Sequence, residues 1–495
     1  MESFSIPKEI RSVVLSLEGA GFEAYLVGGS VRDLLRGVEP KDWDVATNAT
    51  PEEIIKIFPE TFYENDYGTV GVVTCGEKLG VECKDERLKV VEVTPYRLEE
   101  KYSDSRHPDK VTFTTSLKDD LKRRDFTMNA VAYSVSKEEV FDPFCGQKDI
   151  EGKVIRAVGE AQDRLNEDAL RMLRAIRFSA ELSYELDKDL AVAIKKLAKN
   201  LEKISKERIR DEFVKIILSP NPMRAIVHSK ELGLLAHIAP EIERGIGVMQ
   251  NQAHKYDVWE HNLRTLQHSA DKEWPLLIRM SALFHDVSKP ETRRFSKEKN
   301  DYTFYGHDVV GARVTKNILE RLKFPNQFIE DVTMLVRWHM FFSDPEAITL
   351  SAVRRLIARV GKEHIWELMD LRVCDRVGTG RPKENPYRFR KYKSMVEEAM
   401  RDPINVGMLK VNGADIMKLT GEKPGPRIGF ILHALLEEVF EKPELNERAY
   451  FEKRVKELST LSDSELKKLG EKGKEFREKA EEEELGKIRG KYFVK

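Results

Sequence analysis

The chain has 495 residues, of which 41% are hydrophobic and 34% charged, a composition typical of globular proteins and not of disordered or membrane-embedded chains. Its 84 lysines and arginines nearly balance its 85 aspartates and glutamates, so any nucleic-acid-binding surface must be a local patch. Four cysteines without a CxxC pair argue against a zinc knuckle or a disulfide framework and indicate reduced thiols. The sequence has no secretory pattern and no apolar window of membrane length, which predicts a cytoplasmic protein with no membrane partner.

A glycine turn follows the first predicted strand. The apolar run 24–27 predicts a buried strand, and Gly28-Gly29-Ser30 predicts a tight turn that opens a helix. Such a turn presents backbone N–H groups beside residues without side chains, which favours the close approach of phosphate. We therefore expect a phosphate-binding turn at Gly28 and Gly29.

Two carboxylates follow on the second predicted strand. Asp42 and Asp44 are separated by one residue, so both side chains project from the same face. Like charges this close need a cation between them, and Mg²⁺ commonly shares one or two carboxylates with substrate phosphates. Together with the glycine turn, the pair predicts metal-dependent phosphoryl or nucleotidyl transfer. Glu92, in a later predicted strand, is a further candidate metal-facing carboxylate, with a buried or solvent-facing acid as the alternative.

The order strand, Gly-Gly turn, Arg-Asp helix and Asp-x-Asp strand resembles the class II nucleotidyltransferases of the DNA polymerase β superfamily, the family of tRNA CCA-adding enzymes and bacterial poly(A) polymerases. Residues 123–130, RRDFTMNA, resemble the RRDFTxNA motif of the same family. The resemblance implies that Asp42 and Asp44 are catalytic residues that hold Mg²⁺. It also implies a triphosphate site built from Gly28, Gly29, Arg32 and Arg124.

The segment 97–113 is polar and poorly periodic, which predicts an exposed loop. In the family that the motifs resemble, a mobile loop at this place helps to switch the nucleotide pocket from CTP to ATP. An ordinary surface connection is the alternative.

A predicted helix over 166–178 carries Asp168, Arg171, Arg174 and Arg177 at every third position. An ionised Asp only accepts hydrogen bonds and Arg only donates them, so the pair matches bases with an exocyclic amine beside a ring acceptor, as C and A have. A solvated charged stripe is the alternative. The segment resembles the EDxxR motif of the family, which implies that Asp168 and Arg171 read the base edge and that Arg174 and Arg177 face the phosphates or the incoming nucleotide.

Histidines and aspartates recur in the helical second half of the chain, in an order that resembles the HD superfamily of metal-dependent phosphohydrolases. The metal ligands implied by this resemblance are His261, His285, Asp286 and Asp375, and the candidates for a second metal or a phosphate contact are His307 and His339. Imidazoles combined with carboxylates suit a divalent transition metal better than Mg²⁺. HD domains attached to CCA-adding enzymes are linked with 2′,3′-cyclic phosphodiesterase, 2′-nucleotidase and phosphatase activity. A hydrolytically silent, tRNA-binding body is the alternative.

These patterns predict an α+β fold in four parts. Residues 1–150 are a DNA polymerase β-like nucleotidyltransferase head with a mixed sheet and flanking helices. Residues 151–250 are an all-helical neck that carries the base-reading helix and binds RNA and nucleotide. Residues 251–400 are an HD domain, and residues 401–495 are a helical, tRNA-binding tail.

The resemblance implies an enzyme that adds CCA to tRNA 3′ ends from CTP and ATP without a nucleic-acid template. Three alternatives stay open: an enzyme that adds only CC, a bacterial poly(A) polymerase, and a metal phosphohydrolase whose nucleotidyltransferase half only binds its ligand.

Overall fold

The computed structural model describes residues 4–64, 68–76, 79–82, 85–100, 110–251, 254–341, 345–346 and 348–470. The chain divides into two compact units, Met1–Ile238 and Ala239–Lys495. The first unit combines a mixed sheet with helices and the second is mainly helical, so the predicted α+β architecture is confirmed. Among the described residues, no helix has both the length and the apolar character needed to cross a membrane.

A seven-stranded mixed sheet forms the centre of the first unit, with strand order β3-β4-β5-β2-β1-β8-β9. Strands β2 and β5 are parallel, and the other neighbours in this sheet are antiparallel. The strands of this sheet are β1 Ala24–Val27, β2 Asp44–Thr47, β3 Thr61–Tyr63, β4 Val70–Val73, β5 Val90–Pro95, β8 Ala132–Ser134 and β9 Glu139–Phe141. Two further pairs are β6 Arg97–Glu100 with β7 Lys110–Phe113, and β10 Val154–Ile155 with β11 Glu185–Leu186.

Eleven described α-helices accompany the sheet in the first unit. They are α1 Lys8–Gly19, α2 Gly29–Leu35, α3 Pro51–Ile57, α4 Leu117–Lys122, α5 Gly146–Glu151, α6 Ala161–Glu167, α7 Arg171–Leu182, α8 Lys188–Leu197, α9 Lys206–Leu218, α10 Pro222–Glu231 and α11 Leu235–Ile238. Helix α3 follows the N-cap residue Thr50, whose hydroxyl accepts a hydrogen bond from the Glu53 backbone N–H while the Glu53 carboxylate accepts one from the Thr50 N–H.

The two faces of the sheet differ in what they pack against. Alternate valines of β4 and β5 lie in an apolar core with residues of α1 and α3, as period-two side-chain alternation requires. Asp44, Gly71 and Glu92 alternate with these core residues and project to the other face. The side chains of interest for function are therefore on the face that the main core leaves free.

Two sequence expectations about local structure are wrong. The predicted helix 166–178 is interrupted, because α6 ends at Glu167 and α7 begins at Arg171. Between them Asp168 is extended and its carboxylate accepts a hydrogen bond from the Leu170 N–H, a local contact that competes with helical hydrogen bonding. The predicted loop 97–113 instead begins and ends in the paired strands β6 and β7, and residues 101–109 lie outside the described part of the chain.

The cysteines also depart from the expectation of reduced thiols. Cys75 forms a disulfide bond, whereas Cys145 and Cys374 are free.

In the second unit, a two-stranded hairpin accompanies the described helices. The strands are β12 Arg294–Ser296 and β13 Asp301–Thr303; the helices are α12 Pro240–Glu243, α13 Val258–Asp271, α14 Leu276–Phe284, α15 Lys289–Thr292, α16 His307–Arg321, α17 Asn326–Trp338, α18 Leu350–Val360, α19 Ile365–Gly378, α20 Tyr387–Ala399, α21 Gly413–Thr420, α22 Pro426–Glu441, α23 Arg448–Leu458 and α24 Asp463–Gly470. Helix α13 packs against α14 and α19, which brings the histidine-bearing segments together. Helices α21 to α24 contribute to a separate apolar core.

Candidate active site and candidate metal centre

Three carboxylates lie near the first residue of strand β2. Asp44 is the first residue of this strand, and Asp42 lies in the bend just before it. Glu92 on β5 is in direct register with Asp44, so the two side chains project side by side. Burial raises the pKa of the Asp44 carboxyl, with the charge of Asp42 adding to the rise and that of Arg124 opposing it. Partial burial and the charges of Asp44 and Asp42 raise the pKa of Glu92 in the same direction.

This acidic group fits a divalent cation. Burial is the first cause of both raised pKa values, and the negative charges of neighbouring carboxylates add to each rise. An oxygen-only ligand set is the chemistry that Mg²⁺ prefers. Asp42, Asp44 and Glu92 are therefore the residues of this unit that would hold Mg²⁺.

The predicted glycine turn borders the carboxylates. Gly28 has φ 74°, a conformation that glycine adopts without strain. A Cβ atom at this residue would lie 3.1 Å from Arg124 Nη1 and 3.1 Å from Asp44 Oδ2. Gly28 is therefore required both for the turn and for the space between the guanidinium and the carboxylate. Arg124 also donates to the buried Asp120 at 3.3 Å, which keeps its positive charge beside the turn.

Arg32 is held by protein contacts next to this turn. Its Nη1 donates to Asn129 Oδ1 at 3.0 Å, and its Nε and Nη2 donate to the Asp33 carboxylate at 3.0 and 3.1 Å. The side chain is largely buried, and Nη2 would lie 3.6 Å from a Cβ atom at Gly29. These contacts tie helix α2 to the RRDFTMNA segment, so Arg32 orders the turn; its contact with triphosphate stays a prediction.

Asp125 is the buried acid of the RRDFTMNA segment. Its carboxylate accepts from Arg174 Nε at 2.7 Å, from Asn129 Nδ2 at 3.1 Å and from the Phe126 N–H at 2.8 Å. Burial alone would raise the pKa of Asp125, but the charge of Arg174 and these hydrogen bonds bring it down to about 2. Asp125 therefore connects α7 to the segment that carries Arg124.

Replacing Asp125 with asparagine should cost about 2 kcal/mol of stability at neutral pH, from the difference between a pKa of about 2 and the usual 3.8. A carboxyl whose folded-state pKa is lowered stabilises the fold above its unfolded pKa and loses that contribution as the pH falls through the folded value. The difference between parent and Asp125→Asn should thus persist down to about pH 4 and disappear towards pH 2. Thermal unfolding of both proteins across this range measures it.

The control for this experiment is Asp211→Asn, which removes the same charge from an exposed carboxylate on α9 and should change stability by less than about 0.5 kcal/mol. A stability difference for Asp125→Asn that does not change between pH 4 and pH 2 contradicts the assignment.

The residues predicted to read the base are not paired with each other. Asp168 accepts from Arg208 Nη2 at 2.7 Å. Arg171 is buried and donates to Glu167 Oε2 at 2.5 Å and to the backbone oxygens of Arg164 and Arg123 at 2.9 and 3.1 Å. Sequence reasoning missed the contact of Arg208 with Asp168. The two residues are 40 positions apart, and the sequence patterns indicate no partner for either.

The remaining two arginines of the series also bond to protein acids. Arg174 bonds to Asp125, and Arg177 donates to Glu212 at 2.8 Å and to Glu181 at 3.0 Å. The guanidinium carbons of Arg32, Arg174 and Arg177 lie 5.3, 5.5 and 4.2 Å from the centre of the Phe178 ring. These cation–π contacts arrange three positive charges around one aromatic ring. The predicted contact of Arg174 and Arg177 with nucleotide stays a prediction.

In the second unit, two groups of buried side chains share Asp286. The first group is His261, His285 and Asp286, and the second is Asp286, His307 and His339. In the first group the two Nε2 atoms are 3.0 Å apart, and His261 Nε2 is 3.1 Å from Asp286 Oδ2. In the second group the two Nε2 atoms are 3.2 Å apart, and His307 Nε2 is 3.2 Å from Asp286 Oδ1. Atoms that each lie about 2.1 Å from one metal are separated by about 3.0–3.5 Å, so both groups fit an ion.

Backbone contacts orient three of the four histidines for metal binding. Nδ1 of His285, His307 and His339 lies 2.9, 2.6 and 2.6 Å from a carbonyl oxygen three residues earlier in the chain. An Nδ1–H that donates to a carbonyl leaves the Nε2 lone pair free as a ligand. The three Nε2 atoms therefore present lone pairs towards Asp286.

Asp375 lies at the edge of the first group. Its Oδ1 is 3.4 Å from His261 Nε2 and 3.8 Å from His285 Nε2, and its Oδ2 accepts from Arg372 at 2.8 Å. Burial opposes a charge on His261, yet hydrogen bonds to Asp286 and Asp375 raise its pKa to about 9. The site thus favours a positive charge at this place, as a metal-binding site does. The groups border a cavity of about 1160 Å³.

Comparison with known proteins identifies three domains in the chain. Residues 24–156 match the poly A polymerase head domain, residues 183–246 match the probable RNA and SrmB-binding site of polymerase A, and residues 258–379 match the HD domain.

Relatives match nearly the whole chain. The CCA-adding enzyme of Geobacillus stearothermophilus is 32% identical over 447 residues, which cover 89% of this chain and 94% of that protein. The A-adding tRNA nucleotidyltransferase of Deinococcus radiodurans is 32% identical over 424 residues, with coverage of 84% and 91%. The crystal structure of the Bacillus stearothermophilus CCA-adding enzyme in complex with CTP matches with a TM-score of 0.65 and 28% identity, covering 92% of this chain and 98% of that one. The chain therefore belongs, as its motifs predicted, to the tRNA nucleotidyltransferase and poly(A) polymerase family that includes the CCA-adding enzymes.

Proposed function

We propose that this chain adds the terminal C, C and A to tRNA from CTP and ATP by metal-dependent nucleotidyl transfer. The observation that carries the proposal is the group of Asp42, Asp44 and Glu92 beside the Gly28 turn and the Arg124 guanidinium. Neighbouring acids next to a turn and a guanidinium suited to phosphate are what a nucleoside triphosphate and its Mg²⁺ require. From the proposed tRNA substrate we infer that the enzyme acts in the cytoplasm.

Each part of the site has a proposed task. Bound Mg²⁺ would activate the 3′-hydroxyl of the RNA and stabilise the leaving pyrophosphate. Asp42 and Asp44 would hold the metal, with Glu92 beside Asp44 on the neighbouring strand. Arg124 and the backbone of the Gly28 turn bind the triphosphate, because the guanidinium lies beside the turn and glycine backbone lets a phosphate approach closely.

Base choice is proposed to fall to Asp168 and a guanidinium beside it. The Asp168 carboxylate accepts from the exocyclic amine of C or A, while a carbonyl at that place, as in U or G, would leave it unpaired. Arg171 is the donor that the EDxxR motif implies. Arg208 is a second candidate donor, because it bonds to Asp168 whereas Arg171 bonds to Glu167.

The experiment that tests the proposal is analysis of tRNA ends. Two tRNAs, one without any CCA and one that ends in CC, are incubated with CTP, ATP or both, and the products are sequenced. We expect complete CCA on the first and a single A on the second. Termination after CC identifies a CC-only enzyme, and a long A tract on a generic RNA identifies a poly(A) polymerase.

The A-adding alternative comes from the comparisons. The relative from Deinococcus radiodurans, named as A-adding, is as similar in identity as the CCA-adding one. An enzyme of that kind would extend only the tRNA that ends in CC and only with ATP. The same two acceptors therefore separate it from the proposed function.

A second activity is proposed for the HD domain, namely metal-dependent hydrolysis of phosphate esters such as 2′,3′-cyclic phosphates. The observation that favours it is the pair of metal-ligand groups joined by Asp286 at a cavity. Four imidazoles with carboxylates suit a divalent transition metal. Hydrolysis that survives in Asp42→Ala and disappears in His285→Ala would assign the activity to this centre. The helices after residue 401 are proposed to bind tRNA.

A further inference from the structure

One row of residues crosses the sheet of the first unit from β3 to β2. Phe62 pairs with Gly71, Gly71 with Glu92, and Glu92 with Asp44. Directly opposed residues on neighbouring strands project to the same face of a sheet. The Phe62 side chain therefore shares its face with two of the carboxylates, whereas the apolar core that contains α1 and α3 lies on the other face.

The ring of Phe62 lies against the backbone of Gly71. A Cβ atom at residue 71 would lie 2.5 Å from Cζ of the ring and 2.8 and 2.9 Å from Cε2 and Cε1. Any side chain at this position would therefore push the ring away from the sheet. The Phe62 side chain is 44% exposed and is not among the described residues of the apolar cores. Gly71 thus allows an aromatic ring to rest on the sheet with its free side towards solvent.

The proposed triphosphate site lies on the other side of Asp44. The Gly28 turn follows β1, and β1 and β5 flank β2 on opposite sides. In phosphoryl transfer, the attacking and leaving oxygens lie in line across the phosphorus. Because the pyrophosphate would leave from the Gly28 turn, the attacking hydroxyl has to approach across β5, over Glu92 and past Phe62.

We propose that Phe62 stacks on the 3′-terminal base of the RNA acceptor and that Gly71 is required to keep the ring in place, a role that rests on the proposed nucleotidyl transfer. Neighbouring strands are about 4.8 Å apart, so a ring over Gly71 lies about 10 Å from Asp44, within reach of a base whose own 3′-hydroxyl is at the carboxylates. Every base has a π face, so stacking accepts any terminal base. This tolerance suits an acceptor whose last base changes with each addition.

Steady-state kinetics with tRNA that lacks CCA test the proposal. Phe62→Ala should raise the KM for tRNA about tenfold, the usual effect of losing one stacked base, while kcat and the KM for CTP stay within about twofold. Phe62→Trp should keep the parental KM. Gly71→Ala should raise the KM as much as Phe62→Ala, and the double variant should be no worse than either, because both changes remove the same contact.

An acceptor with an abasic 3′-terminal nucleotide separates stacking from a structural role. For the abasic acceptor, the parent should have the raised KM that Phe62→Ala shows with intact tRNA. The KM of Phe62→Ala should be the same for both acceptors. The matched control is Tyr63→Ala, because Tyr63 is 56% exposed on the same strand but pairs with Val70 and projects to the other face. It should keep the parental KM.

Two outcomes overturn this proposal and leave the proposed function standing. One is a parental KM for tRNA in Phe62→Ala. The other is a KM that rises, relative to the parent, by the same factor in Phe62→Ala on the intact and on the abasic acceptor. A parent protein that extends no RNA at all overturns the proposed function as well.

Discussion

Asp44→Asn will abolish nucleotide incorporation while making the protein at least as resistant to heat at neutral pH as its parent. The carboxylate is partly buried in the group that includes Asp42 and Glu92, and the substitution keeps its shape but removes the charge of a proposed metal ligand. We expect addition to tRNA to fall by more than about a thousandfold, since metal-ligand charge supplies several kcal/mol of transition-state stabilisation. The single-turnover rate of incorporation from CTP measures this loss. Asp42→Ala should lose incorporation to the same degree.

The stability effect has a definite pH dependence. The folded-state pKa of Asp44 is raised above 3.8, so its ionised form destabilises the fold at pH values above the raised pKa. The melting temperature of Asp44→Asn should therefore exceed that of the parent at neutral pH, and the gain should shrink as the pH falls through that value towards 3.8. Added Mg²⁺ should raise the melting temperature of the parent more than that of the variant.

The matched control for this experiment is Glu52→Gln, an exposed acid on α3, the helix that packs on the opposite face of the sheet. It should retain parental incorporation. Parental incorporation by Asp44→Asn would show that nucleotidyl transfer takes place elsewhere.

The largest effect expected in the second unit is loss of metal from both histidine groups in Asp286→Asn. Asp286 is the one residue that the two groups share, with Oδ2 at the first and Oδ1 at the second. After loading with Mn²⁺ or Co²⁺, elemental analysis should show both sites depleted, whereas His307→Ala should deplete only the second. Hydrolysis of 2′,3′-cyclic phosphate should fall at least about a hundredfold in Asp286→Asn.

Nucleotide addition by the first unit provides an internal check on folding and should not change in either variant. His433→Ala, a substitution of an exposed histidine outside both groups, should keep metal content and hydrolysis. If Asp286→Asn retains metal in both groups, the bridging assignment is wrong.

Local sequence patterns were informative where the physics is local. The strand 24–27, the turn at Gly28 and the strand that carries Glu92 follow from contacts within a few residues or from runs of apolar side chains, and the structure contains all three. The same reasoning failed at Asp168, because a single carboxylate that bonds to a nearby backbone N–H was enough to end a helix that the apolar spacing favoured.

Contacts between distant residues could not be predicted in this way. Arg208 reaches Asp168 across 40 positions of sequence, and Arg174 reaches Asp125 across 49. Many acids are available to each arginine, and helix packing selects one of them. The motifs therefore supplied candidate side chains without giving their partners.

The amino-acid sequence by itself determined the family and the α+β architecture and supplied the candidate acids and histidines of the two sites, since these depend on residue type and short-range spacing. Only the tertiary structure decided that Glu92 lies beside Asp44, that Asp286 serves two histidine groups, and that the ring of Phe62 rests on Gly71. Strand register and helix packing set these distances, and both result from the burial of many side chains at once and not from any single motif.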